Sequence, residues 1–287
     1  MPNFSIRAAA TALLALAAMH QAHAQPAPAP QPAARWHLDG STDRCLLSRR
    51  LEGTPVPATF ILRTIPGSGR YDVILAAPDL SADVRRPGRP AVLELAPGGE
   101  AHRGTGRAVD LPGALGRGVA FGPLSAAFAA ELGRASSLRL ADGEGRALGS
   151  WTIPLAGRAA EAMAYCEAEK QVEWGADPAG FEPGATPPRP AGDPADWLGA
   201  RDFGLATSLT PAAYSAVFRL VLDERGRATD CRLLESAGNV DLAGACRGLA
   251  SRARYEPARD PRGIAVRSVA IHIVSVRMEL DIVLPPR

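Results

Sequence analysis

The sequence is poor in lysine, in aromatic residues and in long apolar runs. Lys170 is the only lysine beside 31 arginines, and since alanine, glycine and proline are abundant, we attribute this bias to a GC-rich genome. Aromatic residues make up 5% of the chain, but a hydrophobic content of 46% is ample for a core. Residues 35–175 carry 17 basic and 16 acidic groups, and residues 195–287 carry 13 and 11. Neither segment has the basic excess of a nucleic-acid-binding protein.

The N-terminal residues have the pattern of a signal peptide. Arg7 supplies a positive charge, residues 8–19 form a twelve-residue apolar stretch, and Ala22-His23-Ala24 is an A-x-A cleavage site. Twelve residues are too few to span a bilayer, which needs about 20. We therefore expect residues 1–24 to be cleaved after Ala24 during export, leaving a periplasmic protein with no retained transmembrane span. A membrane-anchored protein with an uncleaved signal is the alternative.

Two proline-rich segments divide the remaining chain. Residues 25–34 form a Pro/Ala-rich linker, and residues 176–194 form a second one, because such composition favours extended spacers. The sequence thus predicts an α+β protein with two domains, at 35–175 and 195–287. The N-terminal domain is expected to hold a mostly antiparallel sheet with one or two helices, and the C-terminal domain is a ββαβ module.

Turn signals organise the N-terminal domain. Gly67-Ser68-Gly69 and Asp142-Gly143-Glu144-Gly145 predict hairpins, and Gly104-Thr105-Gly106 is also interpreted as a hairpin turn. Helices are expected at 124–132 and 158–173. This domain resembles no family known to us, and its ligand and role do not follow from the sequence.

The C-terminal domain has a more informative order of elements. Apolar runs at 216–222 and 228–234 flank Asp223-Glu224-Arg225-Gly226, a hairpin turn with glycine where a positive φ is needed. Residues 241–254 predict a helix that ends before Pro257, since proline restricts the residue preceding it. The β-branched run from 264 to 276 is the last strand.

These motifs, in this order, resemble the C-terminal domain of TonB-type energy transducers. The resemblance covers residues 195–280 and is carried by the following elements: Trp197, Asp202-Phe203, Asp223-x-x-Gly226-Arg227, Glu235-Ser236-Ala237-Gly238, Asp241-Leu242, Tyr255-Glu256-Pro257-Ala258 and Gly263. The proline that usually follows the Asp-Tyr of that family is missing here. The short apolar stretch and short linkers also depart from a transducer that is anchored in the inner membrane and driven by a proton motor.

The resemblance implies a function in protein binding. Domains of this family capture the TonB box of outer-membrane receptors by adding it as a strand to an exposed sheet edge. The matching edge here is the last strand, with these candidate binding residues: Val266, Arg267, Ser268, Val269, Ala270, Ile271, His272, Ile273, Val274, Ser275, Val276 and Arg277. TonB-dependent receptors are the expected partners, in outer-membrane transport or envelope organisation. Coverage of the edge by the tail 280–287, or by a second copy in a homodimer, remains open.

The four cysteines predict two disulfides. Four cysteines allow three pairings, but only Cys45–Cys166 with Cys231–Cys246 keeps each bond within one domain. Neither a Cys-x-x-Cys motif nor a Cys/His cluster is present, and export favours oxidation. Cys231–Cys246 closes a loop of sixteen residues, which stabilises a fold by about 3 kcal/mol.

No motif in the sequence indicates an enzyme, a cofactor or a metal site. His102, Asp110 and Ser125 could form a triad, but Ser125 lacks a Gly-x-Ser-x-Gly elbow and His102 is expected in a solvated loop. His272, in the middle of the last strand, is expected to be a packed or edge-facing histidine and not a metal ligand. Glu167, Glu169 and Glu173 are expected to form a solvated helix face. The alternative function is an N-terminal enzyme or ligand-binding domain that the C-terminal module docks.

Overall fold

The computed structural model describes residues 35–40, 43–77, 89–111, 115–199, 202, 213–238, 242 and 244–277. Within these residues the structure combines antiparallel sheets with three α-helices, so the predicted α+β class is confirmed. The predicted signal peptide, its cleavage site and the first linker lie outside the described residues. No described helix has the length and apolar character needed to cross a membrane.

The N-terminal half is built on one large antiparallel sheet with the strand order β1-β2-β4-β5-β8-β7-β6-β9-β10-β3. Its described elements are β1 (His37–Asp39), β2 (Cys45–Leu51), β3 (Gly53–Thr54), β4 (Ala58–Thr64), β5 (Arg70–Ala76), β6 (Pro90–Ala96), β7 (Ala101–Asp110), β8 (Arg117–Ser125), α1 (Ala126–Leu132), β9 (Ser137–Asp142), β10 (Ala147–Thr152) and α2 (Ala156–Glu173). β3 pairs with β10 at one end of the strand order, whereas β2 lies near the other end. Because only Glu52 separates β2 from β3 in sequence, the two ends of the sheet meet.

One face of this sheet surrounds an apolar core that the two helices complete. Phe60 and Leu62 of β4 point into the core beside Phe128 of α1 and Met163 of α2, and all four are at most 2% exposed. The indole N–H of Trp151 donates to a backbone carbonyl at 2.9 Å, which satisfies the polar atom of a buried ring. The low aromatic content is thus concentrated where it fills the core.

The turn predictions are partly correct. Gly67 and Gly69 connect β4 to β5 with φ of 83° and 62°, and Gly145 has φ of 87° between β9 and β10. The hairpin predicted at Gly104-Thr105-Gly106 is wrong, because these residues lie within β7. A β-carbon on Gly104 would lie 3.0 Å from the ring of Phe121, so this glycine makes room for a neighbouring side chain.

The C-terminal half contains a three-stranded antiparallel sheet with the order β13-β12-β17. Its described elements are β11 (Arg189–Pro190), β12 (Ala213–Leu222), β13 (Ala228–Ala237), α3 (Ala245–Arg252), β14 (Tyr255–Glu256), β15 (Ala258–Arg259), β16 (Ala265–Val266) and β17 (Ser268–Arg277). Phe218, Leu220 and Ala270 from the sheet pack against Leu249 of α3. The three long strands and α3 follow one another in ββαβ order.

Both predicted disulfides are confirmed. Cys45–Cys166 joins β2 to α2, and Cys231–Cys246 joins β13 to α3. No cysteine is free. Each bond ties a helix to its own sheet, which limits how far the helix can move from the core.

The end of α2 contacts the second sheet. Trp174 and Ala176 pack against Val221 and Val269, and the guanidinium of Arg219 lies 5.5 Å from the centre of the Trp174 ring. The described residues of both halves belong to one compact unit. The two sheets are therefore held in contact through the C-terminal end of α2.

The proline-rich segment 176–194 follows the surface of the C-terminal half. It begins with a 3-10 turn at Pro178–Phe181, Thr186 forms an isolated bridge with Arg259, and β11 pairs with β14. These hydrogen bonds fix the segment in place, and its turns and bends interrupt the extended spacer that the composition predicts. The segment thereby becomes one wall of a groove.

Candidate functional site

The last long strand, β17, has a free edge. It pairs with β12 on one side in a continuous register from Leu222↔Ser268 to Ala213↔Arg277. On its other side, no strand pairs with it among the described residues. A free edge offers unpaired backbone N–H and C=O groups, which can bind an extended peptide.

Two hydrogen bonds show which backbone groups of β17 face outward. The N–H of Asp177 donates to the carbonyl of Arg267 at 3.0 Å, on the side away from β12. The hydroxyl of Thr229 donates to the carbonyl of Val221 at 3.2 Å, so Val221, which lies opposite Val269, turns its backbone groups away from β17. Both observations place the odd-numbered residues of β17 outward, because the N–H and C=O of one residue point to the same side.

Val269, Ile271 and Ile273 are therefore the outward residues, and Ala270 and His272 bond to β12. Within the described part of the chain, no hydrogen bond outside the strand ladders involves the backbone of the three outward residues. The alternation of residues along a strand allows two possible sets of outward residues, the odd-numbered or the even-numbered. The contacts of Asp177 and Thr229 identify the odd-numbered set.

The free edge lines a groove of about 490 Å³. This volume lies within the range of about 300–1,000 Å³ that is typical of ligand sites. One wall is the β4–β5 hairpin with the end of α2, and the other is the proline-rich segment with Tyr255. The lining residues other than those of β17 are Gly67, Ser68, Arg70, Gln171, Ala176, Asp177, Gly180, Phe181, Pro187, Pro188, Pro190, Pro194, Tyr255, Ala258 and Arg267.

An aromatic cluster supports β17 from the α3 side. His272 is 8% exposed, and its ring lies 5.4 Å from that of Trp197, which in turn lies 5.0 Å from that of Tyr255. Burial lowers the pKa of His272 below its usual value, because the charged imidazolium loses hydration. Burial likewise raises the pKa of Tyr255 to about 12. The prediction of a packed histidine is confirmed, and the ring is neutral at pH 7.

Three side chains that are charged at pH 7 line the groove, those of Arg70, Asp177 and Arg267. Arg70 and Arg267 are exposed, and neither has an ion pair with another described residue. Asp177 accepts the N–H of Ala179 at 2.9 Å, which caps a 3-10 turn. The hydroxyl of Ser268 is buried without a hydrogen-bond partner within the described structure, although buried polar groups are normally satisfied.

Comparison with known proteins gives no family. No family model, curated protein or solved structure matches the chain. What the groove binds must therefore follow from its own geometry and charge.

The predicted site residues fall in three structural elements. Val266 belongs to β16, Arg267 lies between β16 and β17, and residues 268–277 form β17. The side chains of Val276 and Arg277 lie outside the described residues. Sequence patterns did not indicate the two walls, because the hairpin at 67–70 and the prolines at 187–194 reach β17 only through tertiary contacts.

The possible triad in the N-terminal half is not assembled. His102 lies in β7, not in the predicted solvated loop, and its Nε2 is 2.8 Å from a carboxylate oxygen of Glu131. Asp110 is eight residues further along the same strand, about 26 Å away at 3.3 Å per residue, and Ser125 pairs with Arg70 on β5. No hydrogen bond joins His102 to Ser125 within the described structure, and Asp110 lies too far along β7 to orient His102.

The solvated face predicted for α2 is wrong for Glu167. The hydroxyl of Tyr71 donates to this carboxylate at 2.6 Å, because α2 turns this residue toward β5. Burial raises the pKa of Glu167, although Tyr71 and the N–H of Gly67 donate to it. Glu169 accepts from the hydroxyl of Tyr165, and Glu173 pairs with Lys170. No cluster of metal-ligating side chains is present in the described ranges.

Proposed function

We propose that this chain is an exported, non-enzymatic binding protein that captures extended peptides by adding them as a strand to β17. The observation that supports this proposal most directly is the free edge of β17, whose outward residues Val269, Ile271 and Ile273 line the 490 Å³ groove. Main-chain hydrogen bonds provide affinity in this mode of recognition, and pockets for alternate side chains provide specificity.

The edge is suited to a short peptide. The three outward residues supply three N–H donors and three C=O acceptors, and they repeat every two residues, about 6.6 Å apart. A peptide that adopts the same spacing satisfies all six groups at once. The ordered wall at 176–194 lowers the cost of binding, since little of the site has to be ordered when a peptide enters.

The resemblance to TonB C-terminal domains supports a receptor TonB box as the peptide. The ββαβ order of the long strands and α3 agrees with that resemblance. Two disulfides fit an exported protein, because such bonds persist in oxidising compartments. We place the function in the periplasm, in outer-membrane transport or envelope organisation, with TonB-dependent receptors as partners.

Proline substitutions at neighbouring positions test strand addition. Ile271→Pro removes an outward N–H, which an edge strand tolerates, and leaves a peptide carbonyl without its donor. Because an unmade buried hydrogen bond costs about 1–3 kcal/mol, affinity for TonB-box peptides in calorimetry is expected to fall about tenfold or more. His272→Pro removes a donor of the β12 ladder and is expected to misfold.

Ile271→Ala is the matched control, because it shortens the same side chain but keeps the N–H. Far-ultraviolet circular dichroism reports whether each variant folds. The proposal predicts binding by Ile271→Ala and loss of binding by folded Ile271→Pro. Equal affinity of these two variants, or no binding of TonB-box peptides by the parent at millimolar concentration, would contradict it.

Ligand binding in the N-terminal half is a second candidate, favoured by a cavity of about 310 Å³ between α1 and α2. Leu62 and Met163 line it, together with the Tyr71–Glu167 pair, and burial raises the pKa of both members of that pair. Cavities with perturbed pKa values are candidate sites. If apolar ligands enter, the fluorescence of the apolar dye Nile red should rise with the parent and not with Ala164→Trp, which fills the cavity.

A further inference from the structure

We infer that the groove selects acidic peptides, with one carboxylate near Arg267 and a second near Arg70, about six residues further along the added strand. This inference rests on the proposed function, because it assumes that a peptide pairs with β17. It adds the chemistry and the spacing of the peptide that the groove accepts.

The two guanidinium groups lie at opposite ends of the groove. Arg267 immediately precedes β17, whereas Arg70 lines, together with Ile273, a second cavity of about 180 Å³ that continues the groove. Six residues separate positions 267 and 273, which corresponds to about 20 Å in a strand. A peptide paired with Val269 to Ile273 therefore has Arg70 near one end and Arg267 just beyond the other, where Asp177 already occupies the outward carbonyl.

Both cations also lie on the same face of the sheet. Arg267 has the same parity as Val269 and Ile271, which pack toward the end of α2. A β-carbon built on Gly175, just after α2, would lie 3.4 Å from a guanidinium nitrogen of Arg267. Arg70 belongs to the N-terminal half, which lies on this side. Because residues six apart in a strand project to one face, two acidic residues at that spacing can reach both arginines.

Two of the neighbouring acidic groups are neutralised by other arginines, and the third accepts a backbone N–H. At the Arg70 end, Asp72 pairs with Arg63 at 2.8 Å, and Glu235 pairs with Arg44. At the other end, Asp177 caps a 3-10 turn. His272 is neutral at pH 7 because burial lowers its pKa. The carboxylate of Asp177 keeps its charge, so the groups without an ion pair in the groove are two arginines and one aspartate, which sum to a positive charge.

Synthetic peptides test the inference with the full chain. The probe is acetyl-Asp-Val-Thr-Val-Thr-Val-Asp-amide, and its matched control carries Asn in place of both Asp residues. Calorimetry at low salt is expected to show a two- to fivefold tighter dissociation constant for each exposed ion pair gained, or roughly four- to twentyfold for both. This advantage is expected to shrink at high salt, since ionic strength screens exposed charges.

Variants locate the effect in the two arginines. Arg267→Gln and Arg70→Gln should each remove about half of the advantage, measured within each variant as the logarithm of the ratio between its affinities for the Asp peptide and the Asn peptide. Arg158→Gln, an exposed position on α2 outside the groove, is the matched control and should retain the full advantage.

The possible outcomes separate this inference from the proposed function. If both peptides bind with equal affinity, strand addition stands and the acidic preference is overturned. If the Asp peptide binds tighter but the advantage survives in both arginine variants, the inference is also overturned, because the charges lie elsewhere. If neither peptide binds, nor any TonB-box peptide, the proposed function and this inference fall together.

Discussion

Removing each disulfide separately should destabilise the protein to different extents. Cys45 and Cys166 are 121 residues apart in sequence, and Cys231 and Cys246 are 15 apart. In the chain-entropy model, a cross-link stabilises more when it closes a longer loop. The two loops correspond to about 5 and about 3 kcal/mol, respectively. The paired substitution Cys45→Ala/Cys166→Ala should therefore cost about 2 kcal/mol more than Cys231→Ala/Cys246→Ala.

Packing adds to this difference. Cys45 is fully buried and Cys166 is 4% exposed, so both sulfur atoms belong to the N-terminal core. Cys231 and Cys246 are only partly buried against the C-terminal core. Alanine at the first pair leaves a larger void, and voids in a core destabilise it further.

Urea unfolding, followed by tryptophan fluorescence and by circular dichroism, measures both costs. The parent treated with a reducing agent is the control for packing, because it keeps all four sulfur atoms but lacks both bonds. A smaller loss of unfolding free energy for Cys45→Ala/Cys166→Ala than for Cys231→Ala/Cys246→Ala would refute this reasoning.

Two further predictions concern a turn and a buried carboxylate. Gly226→Ala should destabilise the protein by more than Gly145→Ala. Both glycines have positive φ, but a β-carbon on Gly226 would clash with the carbonyl of Tyr255, whereas Gly145 faces open space. Thermal unfolding measures the loss of stability in both variants, and equal losses would contradict this prediction. Since the raised pKa of Glu167 makes the folded state hold a proton that the unfolded state releases, stability should fall as pH rises above about 4.5. Glu167→Gln should gain stability relative to the parent over that pH range, and coincident pH profiles would show that this titration has no effect.

Local chemistry made part of the fold predictable. The turn with Gly226 and the hairpin at Gly67 were read from sequence because positive φ favours glycine. The disulfide pairing followed from the segregation of cysteines. Helix α1 begins later than predicted, at Ala126, because Leu124 still belongs to β8.

The errors arose where tertiary contacts override composition. The sequence around Gly104 predicts a turn, but Gly104 lies inside the sheet. Because glycine has no side chain, it leaves room there for the ring of Phe121. The sequence predicts that Glu167 is solvated, but its carboxylate accepts a hydrogen bond from the hydroxyl of Tyr71, which lies 96 positions away in sequence. A charged residue on a helix carries no local signal of such a partner.

The candidate site was predictable only along one strand. The β-branched run identified the strand now described as β17, but its outward set depends on Asp177 and Thr229, which contact it or its neighbour through the fold. The walls at 67–70 and 187–194 come from two distant segments. The unpaired charge of Arg70 and Arg267 likewise follows only from knowing which acidic groups are already engaged.

Residue-resolved amide hydrogen exchange on β17 tests the central claim most directly. Exchange rates of the full chain would be measured by NMR with and without a saturating TonB-box peptide. If the peptide adds as a strand, the N–H groups of Val269, Ile271 and Ile273 should become protected, because each gains an acceptor. Those of Ala270 and His272 should change little, because they already bond to β12. Protection of neither set, or of the inner set alone, would contradict strand addition at this edge.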